Sequence, residues 1–100
     1  MNKYNDSKIY VIKSNQSDRI YIGSTCLDIY ERLRKHRQNY RYYNLTGKKY
    51  IASYEILKFD DHYIELLEKC NFFNNNELIK KEGEYMKKYK NIIVNLNIPK

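Results

Sequence analysis

Cysteine, proline and glycine are scarce: two, one and three residues in a chain of 100. Cys26 and Cys70 lack metal-site spacing and have no partners of that kind. A cysteine-based metal site is therefore excluded, and two reduced thiols are expected. With so few glycines and prolines, the elements must be joined by short polar turns. No apolar run approaches the roughly 20 residues of a membrane span. The opening segment, Met1 to Asp6, has no signal-peptide core. The expectation is a cytoplasmic or nuclear chain, neither secreted nor membrane-embedded.

What is present fits one small globular domain over residues 1–100. Hydrophobic residues make up 42% and charged residues 31%, too apolar for a disordered chain and enough for one modest core. The net charge of +7 is unevenly placed. Residues 1–50 hold 11 Lys and Arg against Asp6, Asp18, Asp28 and Glu31, whereas residues 51–100 balance 8 Lys with 8 acids. The excess is densest at Arg32, Arg34, Lys35, Arg37, Arg41, Lys48 and Lys49. A localised basic surface attracts polyanions by releasing their counterions; by itself it could equally be a solvated helix face. Ile, Lys, Asn and Tyr supply half of the chain, as an AT-rich coding sequence produces. The number of tyrosines and lysines is therefore less informative than their placement.

Lys8–Lys13 is β-branched and aromatic and reads as a strand. The polar cluster Ser14–Asp18 turns the chain, and Arg19–Gly23 returns it. Asp28 is placed to cap a helix running to about Asn39, with Glu31 three residues on as in a capping box. Asn44–Gly47 breaks the chain, Tyr50–Lys58 fits a second helix, and His62–Cys70 a third strand with Ile64 and Leu66 on one face. A turn at Asn71–Asn76 precedes a third helix from about Glu77 to Lys90, and Ile92–Val94 is expected to tuck against the sheet. The β-β-α-α-β-α order implies an α+β fold, a small three-stranded antiparallel sheet flanked by helices.

Two helices carry the residues of chemical interest. In the third, Leu78, Glu82, Tyr85, Met86 and Tyr89 recur at helical spacing, which places Glu82 in an apolar stripe. A carboxylate there needs a cation: a basic side chain at the edge of the stripe, or a metal. In the first, Arg32 and His36 stand four apart and share a face, read as distinct from that of Ile29 and Leu33. They fit either an ordinary basic helix with an incidental histidine or a phosphate-binding guanidinium beside a titratable imidazole.

Lys8-Ile9-Tyr10, Tyr21-Ile22-Gly23-Ser24 and Arg32-Leu33-Arg34-Lys35-His36 together resemble the GIY-YIG nuclease signature. Glu82-Gly83-Glu84-Tyr85-Met86 resembles that family's Glu-x-x-aromatic-aliphatic helix, and Val94-Asn95 its closing Asn, with Asn97 the other candidate. The similarity spans residues 8 to about 97 and is strongest to short viral or phage-like members of the homing-endonuclease catalytic-domain type. Lys8 stands where the first motif has Gly, a positional rather than a chemical departure.

The resemblance implies a metal-dependent DNA endonuclease acting on duplex, branched or nicked DNA and leaving a 5′-phosphate and a 3′-hydroxyl. It assigns Glu82 to one Mg²⁺ or Mn²⁺ ion and Arg32 to transition-state charge. Tyr10 and Tyr21 would flank the attacking water, with Tyr10 as general base if nearby cations lower its pKa. His36 is a titratable neighbour and Asn95 an orienting residue. The rival readings are a catalytically silent nucleic-acid-binding module on the same fold and an unrelated α+β nucleic-acid-binding protein.

Overall fold

The computed structural model describes residues 2–95. After a 3-10 turn at Lys3–Asp6 come β1 (Ser7–Lys13), β2 (Tyr21–Thr25), α1 (Ile29–Thr46), α2 (Tyr54–Leu57), β3 (Tyr63–Cys70) and α3 (Asn75–Lys88). The strands form one antiparallel sheet in the order β2-β1-β3. The α+β architecture and the element order are those expected from the sequence.

β1 takes the centre because Ile9–Ile12 is continuously bulky and apolar, a run that can be buried on both faces. Tyr10 and Ile12 pack with Ile29 and Leu33 of α1 and with α2, while Ile9 and Val11 pack with Leu78 and Met86 of α3. Ile9, Ile12 and Ile22 are completely buried, contributing about 1.5–3 kcal/mol each. An exposed ion pair such as Lys13–Glu65 gives about 0–1 kcal/mol. The apolar residues therefore decide how the helices sit on the sheet.

Four local readings change. α1 continues past Asn39 to Thr46, because Tyr40 and Tyr43 stack on Tyr54 with ring centroids 5.2 and 5.1 Å away. It stops only at Gly47, whose left-handed backbone (φ 71°) lets its N–H bond the Tyr43 carbonyl. The second helix shrinks to one turn, since Ile51–Ser53 forms hydrogen-bonded turns leading into it. β3 carries a bulge opposite Ile9 and Tyr10: Tyr10 pairs with Leu66 and Ile9 with Glu68. Leu66 shares the Ile64 side but is 45% exposed, whereas Leu67 packs toward α3. In the capping box, Asp28 accepts from the Tyr30 and Glu31 N–H groups, but the Glu31 side chain turns to Arg34.

The segment after α3 does tuck against the sheet. Ile20 N–H donates to Ile92 O (2.9 Å) and Val94 N–H to Ile20 O (2.8 Å), a short parallel pairing on the outer edge of β2.

Candidate active site

β2 is an edge strand, and the candidate residues gather around it from both faces. Tyr21 and Gly23 lie on the α1 side, opposite Ile12 and Tyr10, while Ile22 and Ser24 lie on the α3 side. Gly23 is needed here. A Cβ at this position would fall inside the contact distance of the Tyr10 Cζ and Oη atoms, so the missing side chain lets the Tyr10 ring lie across the neighbouring strand.

On the α1 side, Tyr10, Tyr21 and His36 form an aromatic cluster. The His36 ring stands edge-on to both tyrosines, with centroids 5.9 Å from Tyr10 and 5.4 Å from Tyr21. Tyr10 Oη and His36 Nε2 are 2.7 Å apart and buried. The other imidazole nitrogen, Nδ1, lies 3.0 Å from Ser53 Oγ, at the start of α2. The helix face differs from the reading of α1: Ile29, Leu33 and His36 are all buried, so His36 extends the apolar stripe it was thought to avoid. Arg32 is half-buried beside it.

On the α3 side, Glu82 Oε1 accepts a 2.8 Å hydrogen bond from Ser24 Oγ. The fully buried line of α3 is Leu78, Gly83 and Met86. Glu82 is half-buried at its border rather than in its middle, because Gly83 carries the helix closest to the sheet. Among the described residues Glu82 forms no ion pair, and Oε2 has no protein partner. As no fully buried side-chain oxygen among the described residues lacks a partner, Oε2 is not sealed in the core.

Arg32 is the electrostatic neighbour common to the cluster, acting on Tyr10, Tyr21, His36 and Glu82 alike. Burial dominates, however. It holds the Tyr10 phenol well above its ordinary pKa, reinforced by Tyr21, and Arg32 only partly offsets this. The expectation of a phenol acidified by nearby cations is thus reversed by the protein's own groups: removing a charge-bearing phenolate from water outweighs one guanidinium. Burial likewise raises Tyr21, with Glu82 adding to it. His36 falls to about 4, through burial first and Arg32 second. Burial raises Glu82 against the pull of Ser24 and Arg32.

Asn95 has a different geometry from a side chain aimed at substrate. Its Oδ1 accepts from Ile22 N–H (3.1 Å) and its Nδ2 donates to Ile22 O (2.8 Å). The carboxamide substitutes for a neighbouring strand, fixing the backbone between Tyr21 and Gly23. Asn97 lies outside the described residues.

The basic residues fall into two groups. Arg34 is ion-paired with Glu31, and Arg37 Nε donates to His62 Nε2 at 2.8 Å. Lys35, Arg41, Lys48 and Lys49 are exposed and have no ion pair among the described residues. None of the six joins the buried cluster; they line the outer face of α1 and the loop that follows it.

Among the described residues, no group of three or more His, Cys, Asp or Glu side chains gathers where it could hold a metal ion. A single carboxylate with an open oxygen still fits Mg²⁺ or Mn²⁺, since such ions keep several waters and take other oxygens from the substrate. Ser53 had escaped the sequence reading. It fell inside the expected Tyr50–Lys58 helix, whereas in the structure it stands at the start of α2, where its hydroxyl makes no cap bond and goes to His36 instead. Among the described residues, no helix is long and apolar enough to cross a membrane.

A family model described as the GIY-YIG catalytic domain matches residues 7–97. No curated protein and no solved structure gave a match.

Proposed function

The chain belongs to the GIY-YIG family of nuclease catalytic domains, and from that premise we propose that residues 1–100 form one metal-dependent DNA endonuclease domain. The observation that carries this reading is the convergence of Tyr10, Tyr21, Arg32 and His36 on one face of β2 with Glu82 at its other face. Arg32 and Glu82, both half-buried, lie at the rim of this cluster, where a phosphate would meet the guanidinium and the open carboxylate oxygen.

In this proposal water attacks phosphorus, a P–O bond forms, and the bond to the 3′ oxygen breaks. The products are a 5′-phosphate and a 3′-hydroxyl. Glu82 is the residue that would hold one Mg²⁺ or Mn²⁺, which when bound neutralises charge at the scissile phosphate and its leaving oxygen. Arg32 offers a planar fork of donors to the equatorial phosphoryl oxygens, where negative charge grows in the transition state. Tyr10 and Tyr21 orient the attacking water, and the Tyr10 phenolate, formed when the phenol loses its own proton to solvent, takes up the water's proton. His36 stays neutral and holds the Tyr10 oxygen in place, while Asn95 fixes the strand that carries Tyr21. Lys35, Arg41, Lys48 and Lys49 supply phosphate contacts along the flanking duplex.

A plasmid-nicking assay with Mg²⁺ or Mn²⁺, run against a chelator control, tests the proposal. Glu82→Ala should reduce nicking by at least 10³-fold, since it removes the only carboxylate assigned to the cation. Binding to nonspecific duplex should persist. A variant that keeps a tenth or more of the parent rate would defeat the metal assignment. A parent that binds DNA without nicking it under any divalent cation would favour a silent binding module.

A further inference from the structure

Ser53, His36 and Tyr10 form a continuous chain of buried polar groups from α2 through α1 to β1. Ser53 and His36 are fully buried and Tyr10 is 1% exposed. The two links are 3.0 Å (Ser53 Oγ to His36 Nδ1) and 2.7 Å (His36 Nε2 to Tyr10 Oη). A neutral imidazole has one N–H and one bare nitrogen, so the protons of this chain can run in only two directions.

In one direction Tyr10 donates to Nε2, and Nδ1–H donates to Ser53. The Ser53 hydroxyl proton then has no acceptor among the described residues, on a side chain fully closed off from bulk solvent. In the other, Ser53 donates to Nδ1, and Nε2–H donates to Tyr10 Oη. The unassigned proton is now that of Tyr10, at the end of the chain that faces Tyr21 and Arg32. An unsatisfied donor sealed in the core costs its full desolvation, whereas the Tyr10 end of the chain adjoins the half-buried Tyr21 and Arg32, the side from which solvent can approach. The second direction is therefore favoured.

We infer that Ser53 is a positioning residue, holding His36 in the tautomer whose Nε2–H points at the Tyr10 oxygen. This inference rests on the nuclease reading for its consequence, because it concerns how readily Tyr10 loses its own proton to solvent before taking one from the attacking water. With Nε2–H already donated to it, the Tyr10 oxygen gains a hydrogen bond that strengthens as the phenol ionises. Arg32 acts in the same sense. The charged or titratable groups around the imidazole are Tyr10 from β1, Tyr21 from β2, Arg32 from its own helix and, farther off, Glu82 from α3. None of these can accept a proton from Nδ1, so Ser53 alone governs that side of the ring. A serine suits the task because its hydroxyl can donate, unlike a backbone carbonyl or a carboxylate, either of which would force the opposite tautomer.

The test combines ring-nitrogen NMR of the metal-free protein with nicking kinetics. At neutral pH the parent should show His36 protonated on Nε2; a spectrum dominated by Nδ1–H overturns the inference, whatever any variant does. Ser53→Ala should leave a mixture of tautomers, lower kcat about 10-fold with KM changed less than about twofold, and move the alkaline shoulder of the rate profile to higher pH. Ser53→Thr, which keeps the hydroxyl, should restore the single tautomer and the shoulder. A Ser53→Ala protein with the parent's tautomer and pH profile would show that Ser53 merely packs, even if its rate had fallen. Because the NMR measurement needs neither metal nor DNA, a parent that fails to nick would count against the nuclease reading and not against the role of Ser53.

Discussion

On one face of β2, Ser53, His36 and Tyr10 make a dry hydrogen-bonded chain in which every member is neutral at pH 7. On the other face, Glu82 is only half-buried, keeps one hydrogen bond to Ser24 and has a second oxygen that is not sealed in the core. The dry half can hold direction and tautomer but not charge, since a phenolate or imidazolium there loses its hydration. The open half can exchange a cation with solvent but has too few protein contacts to aim a water molecule. Arg32, which acts on groups of both halves, links them. In the proposed reaction, ionising Tyr10 on the dry side therefore depends on nearby positive charge, which Arg32 supplies.

Tyr10→Phe separates the halves most sharply. It removes one hydroxyl from the dry chain and keeps the ring that fills the space over Gly23. If that oxygen takes the water's proton, nicking should fall about 10²–10⁴-fold. Since burial holds the phenol above its ordinary range, parent activity should still be climbing at pH 9, and the variant's profile should be flatter. A variant slowed but retaining the parent's slope would reduce Tyr10 to a water-positioning group and leave His36 as the candidate base.

The dry half should also show itself in stability. His36 titrates near 4 in the fold but near 6.5 unfolded. The unfolded chain therefore binds the proton first, and acidification below about 6.5 favours unfolding until the folded value is reached. From pH 7 to pH 5 this group should cost the parent about 2 kcal/mol. Denaturant titrations at the two pH values should show a smaller difference for His36→Gln; equal differences would mean that the imidazole is not held neutral.

The smallest effects belong to the surface. Lys35→Ala or Arg41→Ala should each lower the log–log salt slope of duplex binding by about 0.9. Arg34→Ala should do less, as its guanidinium already faces Glu31, and Lys80→Ala on the far side least. Equal losses from Lys35 and Lys80 would put the DNA on another face.

Much of this arrangement could be read in the sequence, because it depends on short spacings. The hairpin brings Tyr10 and Tyr21 together through a polar turn, and helical periodicity separates Glu82 from the exposed lysines around it. What was missed depends on contacts between distant segments. Asn44–Thr46 resembles a break, and only the packing of Tyr40 and Tyr43 on Tyr54 keeps it helical. The bulge in β3 follows from pairing with β1, for which residues 63–70 carry no local signal. His36 appeared to belong to the polar side of α1 because an imidazole does not signal burial; its polar partners come from β1 and α2, 26 and 17 residues away. Asn95 was legible as a residue but not as a strand mimic.

That mimicry matters beyond the register of Tyr21. An edge strand displays backbone donors and acceptors that a second chain can pair with, the usual route by which sheets recruit neighbours. At Ile20 and Ile22 the outward groups are already taken, by Ile92 and Val94 and by the Asn95 carboxamide. Over Ile20 to Ile22 the edge thus offers no free outward backbone group to a second chain, so the segment after α3 shields this stretch from strand pairing as well as fixing its position.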